Sequence, residues 1–340
     1  MSHEFLQVVW YLLVGVLLTG YAILDGFDLG VGVLSPFVAR SDKERRLLLN
    51  AVGPFWDGNE VWLLTGGGAL FAAFPHVYAT VFSGFYLALM LVLFALILRA
   101  VSFEFRSKVE SETWRRAWDW VFFVASLLPA LLTGVAVGNV MRGVPLDAQI
   151  EFAGNFFTLL NPFSLLVGLA GLAMFVTHGA IYLMVKTGGE VAGRARRWAA
   201  GGWVALLVLA LLVTVVAVFD APARFEGKPL TVWVLPILTA FFLALTRVNV
   251  GRGEAGKAFL FSALSIVGLM SIFGAANFPY LLPARNVVEH GLTAYNSSAS
   301  QNTLTAMLVI ALIGMPLVIA YTAYIYYIFR GKTRVEAGGY

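Results

Sequence analysis

Long apolar blocks separated by short polar segments run the length of the chain, and the block length carries the first information. About 20 mostly apolar residues cross a bilayer as a helix rising about 1.5 Å per residue. Nine such runs are legible, at 5–36, 46–72, 77–102, 116–139, 161–186, 198–219, 230–246, 257–276 and 303–329. They predict an all-α integral membrane protein of about nine transmembrane helices. The first run is longer than one crossing needs, so its helix is expected to tilt, or to project beyond the membrane near Gly26, Gly30 and Gly32.

Charge between the runs tests this count. One set of alternate loops holds Arg40, Lys43, Arg45 and Arg46; Arg99, Arg106, Lys108, Arg115 and Arg116; Lys186, Arg194, Arg196 and Arg197; Arg247, Arg252 and Lys257; and Arg330, Lys332 and Arg334. The other set holds only Arg142, Arg224, Lys228 and Arg285 of the 23 basic residues. The asymmetry puts the N-terminus outside and the C-terminus in the cytoplasm. The segments Gly15–Arg46 and Gly168–Arg197 share glycine spacing, a polar residue followed by glycine (Asp25-Gly26, His178-Gly179) and a basic loop ending in two arginines. This suggests a duplication. The expected organisation is a four-helix unit over 1–140, a second over 141–276, and an external loop, ninth helix and cytoplasmic tail over 277–340. The longest external loops are 140–160, with Asp147 and Glu151, and 277–302, whose Asn and Ser content suggests partial mobility.

Composition agrees with a membrane setting. The chain is 60% hydrophobic and 12% charged, with mean hydropathy +0.83, whereas soluble domains carry about 25% charged residues. The absence of cysteine excludes disulfides, iron–sulfur clusters and thiol chemistry. The net charge of +4 sits in membrane-flanking loops and is no nucleic-acid signature. The N-terminus has no basic stretch before its first apolar run, so no cleavable signal peptide is expected.

Against this background the acids stand out. Pro54-Phe55-Trp56-Asp57-Gly58-Asn59-Glu60 interrupts the second run, and Leu24-Asp25-Gly26-Phe27-Asp28 the first. An ionisable group at membrane depth marks a pathway, a pair or a ligand. If the helices are regular, Asp25 lies about 22 Å from Arg40 and Asp57 about 16 Å from Arg46. Asp28 and Glu60 follow at i+3 on the same helix faces, so the two acidic faces can meet. The functional reading is a proton path through Asp25 and Asp57, with Trp56 and Asn59 ordering water or hydrogen-bonding the acids. The structural reading is a polar network locking two helices together, and it is preferred for Asp28 and Glu60.

His178 lies inside a helix, with Met174 one turn earlier. A His/Met haem site would need the two to face each other, so His178 is read as a hydrogen-bonded interior residue. Trp114, Trp118 and Trp120 form an interfacial belt, and Gly134-x-x-x-Gly138 a packing face. Thr65-Gly66-Gly67-Gly68 lacks the ending of a phosphate loop. No metal cluster, Ser/His/Asp set or nucleotide fingerprint is legible.

Several stretches together resemble subunit II of the cytochrome bd-type quinol oxidases: Leu24–Val33, Trp56–Trp62, Gly67–Ala73, Phe103–Lys108 with Trp114-Arg115 and Trp118–Trp120, Gly154–Phe157, Leu160–Phe163 and Phe278-Pro279. The likeness spans essentially the whole chain in order. It implies a membrane-bound oxidase that reduces dioxygen to water with electrons from quinol. Haem b and haem d are then expected in the partner, subunit I, with this chain completing a pseudo-symmetric heterodimer. A structural quinone, lipid and a small single-helix subunit are further expected partners, and a bacterial or archaeal plasma membrane the location. Asp25, Asp57 and Trp56 match family positions associated with a proton route. Tyr295-Asn296 stands where many members have Trp-Asp, which removes an acid from that loop. The competing readings are a proton-coupled secondary transporter and a purely structural scaffold subunit.

Overall fold

A single 36-residue helix, α1 (His3–Val38), forms the axis of the molecule. The structure is a computed structural model that describes residues 1–220 and 222–334; the end of the expected tail, 335–340, lies outside the described residues. Ser2 caps α1 by accepting a hydrogen bond from the Phe5 amide, which satisfies one of the free N–H groups of the first turn. From Asp25 to Ser35 every residue of α1 is buried. A helix apolar all round except for acids is one surrounded by other helices.

Those helices follow as α2 (Asp42–Val52), α3 (Trp56–Ala73), α4 (Pro75–Gly84), α5 (Tyr86–Phe105), α6 (Glu112–Arg142), the single turn α7 (Phe156–Leu159), α8 (Pro162–Lys186), α9 (Gly189–Asp220), α10 (Leu235–Arg252), α11 (Ala255–Asn277) and α12 (Gln301–Ile328). Among the described residues eight helices are long and apolar enough to cross a membrane, namely α1, α5, α6, α8, α9, α10 with its leading π turn, α11 and α12. The remaining expected run, 46–72, is divided. Gly53-Pro54-Phe55 ends the amphipathic α2 and restarts the chain as the 18-residue α3; proline lacks the N–H that a continuous helix needs. The run 77–102 is likewise split into α4 and α5 at Phe85.

Glycine sets the closest approaches. Gly30 of α1 meets α8 where an added Cβ would collide with the Phe175 carbonyl, and a Cβ at Gly179 would lie 2.6 Å from the Gly30 carbonyl carbon. Gly134 and Gly138 of α6 meet Gly168 and Ser164 of α8 in the same way. Because the obstacle at Gly30 is backbone, Gly30→Ala is expected to destabilise by about 1–3 kcal/mol or more, the cost of overpacking. Thermal unfolding of the purified protein tests this against Gly15→Ala, whose Cβ meets nothing within 4 Å. Equal midpoints would mean that α1 and α8 can separate freely.

The basic loops gather at one end of the bundle and are tied together there. Arg106 donates to Asp119 at 2.6 Å and to Asp42 at 2.7 Å. Partial burial alone would raise the Asp42 carboxyl, but the hydrogen bond and charge of Arg106, backed by Arg115 and Arg46, hold it below the usual carboxylate range. At the opposite end, the 277–302 loop is more ordered than its composition suggests. It pairs β1 (Tyr280–Leu282) with β2 (Leu292–Thr293). Gln7 donates to Ser298 at 2.7 Å and to the Tyr295 carbonyl at 3.2 Å, so this loop is stitched to the start of α1.

Candidate functional site: a buried arginine–carboxylate cluster

The acidic faces of α1 and α3 do meet, around a cation supplied by α5. Arg99 Nη1 lies 3.0 Å from Asp25 Oδ1 and 2.7 Å from Glu60 Oε1. Arg99 and Asp25 are completely buried. Asn59 Nδ2 donates to Asp28 Oδ2 at 2.7 Å and to the Leu24 carbonyl at 3.2 Å. The Tyr326 hydroxyl of α12 donates to Asn59 Oδ1 at 3.2 Å. Four helices thus converge on one polar knot in an apolar bundle.

Three carboxyl groups face one guanidinium. In low dielectric a charge without a counter-charge is costly, and this count leaves two carboxyls without one of their own. Asp25 Oδ2, Asp28 Oδ1, Arg99 Nε and Arg99 Nη2 are buried without a hydrogen-bond partner. Native interiors pair nearly all such atoms, so their concentration at one place sets this site apart from ordinary packing.

The sequence-derived candidates fall into two groups. Asp25, Asp28, Asn59 and Glu60 are brought together. Asp57 is not among them: it is exposed, in the first turn of α3, and makes no hydrogen bond or ion pair among the described residues. The depth assigned to it along a continuous helix from Arg46 does not hold, because the helix is broken at Pro54. Nor does Asp57 share the direction of Glu60, which turns inward to Arg99. Glu60, read from sequence as a packing or capping acid, is a direct partner of the buried arginine. Trp56 is half-buried and stacks on Phe103, ring centroids 5.4 Å apart and planes at 9°, rather than on an acid.

The loop-charge pattern misplaces Arg99, which sits inside α5, about 10 Å along the helix from Arg106. The signal was present: Ala100, Val101, Phe103 and Phe105 continue the apolar run past it.

Neither ring nitrogen of His178 is free to ligate haem. Nδ1 lies 2.9 Å from Ser262 Oγ and Nε2 3.1 Å from the Ile23 carbonyl, and the ring stacks on Phe259 at 4.6 Å. Among the described residues no group of three His, Cys, Asp or Glu has the placement to hold a metal ion.

The sequence profile of cytochrome bd terminal oxidase subunit II matches residues 6–329. The chain is 40% identical to cytochrome bd-I ubiquinol oxidase subunit 2 of Escherichia coli (strain K12), with 98% of this chain and 97% of that protein covered. It is 34% identical to cytochrome bd ubiquinol oxidase subunit 2 of Bacillus subtilis (strain 168), with 96% of each covered. Among solved structures, that of the bd oxidase from Geobacillus thermodenitrificans has a similar fold, with a TM-score of 0.81 and 18% identity, covering 95% of this chain and 98% of that one.

Proposed function

This chain belongs to the cytochrome bd terminal oxidase subunit II family, a multi-pass membrane subunit of an oxidoreductase that reduces dioxygen, and from that premise we propose that it supports a haem-bearing partner and feeds it protons. The observation that carries the proposal is the layered arrangement of acids on α1 and α3. Asp57 lies on the outer face, and Glu60, Asp25 and Asp28 lie one layer behind it around Arg99. A cluster with more carboxyls than counter-charges can take up a proton and pass it on. The proposed route enters at the basic end, which the loop charges make cytoplasmic, with the N-terminus outside and a plasma-membrane location.

The partner covers the outer face of α3. Asp57, Gly58, Val61, Leu64, Thr65, Gly68 and Phe71 form one exposed stripe. A carboxylate, a hydroxyl and two glycines suit close packing by another helix better than lipid contact. Haem b and haem d belong to that partner, since His178 has both nitrogens engaged. The transporter reading has no comparable support, because the family assignment favours the oxidase.

Affinity purification through a tag on this chain tests the reading. The wild type is expected to bring down a haem-bearing partner with an oxidase spectrum. Gly58→Leu combined with Gly68→Leu is expected to lose most of that haem. A Cβ at either position meets nothing within 4 Å among the described residues, so the fold of this chain is undisturbed. Wild-type haem content in the double variant would place the interface on another face.

A further inference from the structure

Between α8 and α9, at the basic end of the bundle, a groove of about 610 Å³ opens on the outer surface. Leu169, Leu172 and Val176 of α8 and Ala205 and Leu209 of α9 make its walls apolar. Glycine makes it concave. At Gly202 α9 comes so close to α8 that a Cβ would stand 2.7 Å from the Thr177 hydroxyl oxygen, while at Gly201 a Cβ would meet no atom within 4 Å. From Arg197 to Leu209 the groove follows twelve residues of helix, about 18 Å.

Three arginines stand at its mouth, Arg40, Arg194 and Arg197. Arg194 is already neutralised, 2.5 Å from Glu44 and 3.1 Å from Glu190, with its Nε donating to the Val38 carbonyl. The side chains of Arg40 and Arg197 are exposed and form no ion pair among the described residues. Phe37 and Trp198 flank them, with ring centroids 5.3 Å apart, as aromatic residues do at the level of lipid headgroups.

Two unpaired cations above an apolar channel describe a ligand with an anionic head and an alkyl tail. We propose that this groove is a binding site for an anionic phospholipid, with its phosphate held between Arg40 and Arg197 and one acyl chain lying along α8 and α9. Basic pockets between transmembrane helices recognise such headgroups by charge. A neutral isoprenoid or a zwitterionic lipid would use the walls and leave the two cations uncompensated. The proposal does not depend on the proton route.

The test is native mass spectrometry of the complex containing this chain, released from nanodiscs of phosphatidylglycerol or of phosphatidylcholine. The wild type is expected to retain phosphatidylglycerol and to shed phosphatidylcholine. Arg40→Gln with Arg197→Gln should lower phosphatidylglycerol retention at least fivefold. Gly201→Leu should do so with all charges intact, by filling the groove. Lys108→Gln, another exposed cation in the basic loops, should leave retention unchanged, and thermal midpoints should match throughout. Equal retention of the two lipids by the wild type overturns the proposal. So does wild-type phosphatidylglycerol retention in either groove variant, or displacement of the lipid by a neutral quinone. If the charge variant does not assemble, Gly201→Leu decides alone, since its side chain extends into open space.

Discussion

Replacing Arg99 by methionine is expected to abolish accumulation of the assembled complex. Methionine fills much of the same volume, so the loss is one of charge rather than of packing. Among the described residues Arg99 is the only cation bonded to Asp25 and Glu60, and both it and Asp25 have no solvent contact. Breaking a buried ion pair from one side costs about 3–5 kcal/mol, and here one atom, Nη1, serves two pairs. Against a typical stability of about 5–15 kcal/mol, that is enough to unfold the bundle around α1. The complementary change follows from the same physics. Arg99→Met combined with Asp25→Asn, Asp28→Asn and Glu60→Gln removes the uncompensated charges, and is expected to restore most of the haem content and thermal midpoint of the purified complex. Arg99→Lys should fall between, since a point charge lacks the planar fork that reaches two carboxylates. An Arg99→Met complex with the wild-type midpoint would mean that the cluster contributes nothing to holding the helices together.

The polar half of this cluster was legible in the sequence and the cationic half was not, for a physical reason. Asp25, Asp28, Asn59 and Glu60 interrupt apolar runs from within, where lipid or packed protein is the alternative environment. Arg99 stands near the end of a run and resembles a flanking loop charge. Only the direction of its side chain, set by tertiary contact with α1 and α3, tells the two apart. Hydropathy located the membrane segments well because it sums composition. It missed the division of the second run because Gly53-Pro54 changes backbone geometry without changing mean polarity. The same division decides Asp57 against Glu60. At the start of a new helix, a difference of three residues places one carboxylate outside and the other on Arg99. The glycines that follow Asp25 and His178 both lie along the α1–α8 contact, Gly26 against the Phe175 ring and Gly179 against Gly30.

For the proton route, Asp57→Asn is expected to slow quinol-driven oxygen consumption, and Asp57→Asn with Asp25→Asn to slow it by about 10²-fold, the low end of what a positioned proton-transfer group contributes. Assembly should survive. Asp57 has no hydrogen bond among the described residues to lose, and without the Asp25 charge Arg99 still holds Glu60 at 2.7 Å. Because proton supply then limits turnover, the deficit should deepen as pH rises and the solvent deuterium effect should grow, while haem content and reduction by quinol stay at wild-type values. Those readouts separate a route from a brace. A brace, once weakened, lowers haem content and thermal midpoint together and leaves the isotope effect alone. Glu60→Gln resolves the path itself. If it slows turnover while Asp57→Asn does not, protons reach the Arg99 cluster without passing the outer face of α3. If the assembled double variant keeps wild-type turnover and proton uptake, the carboxylates around Arg99 serve only to bind α1, α3 and α5 to one another.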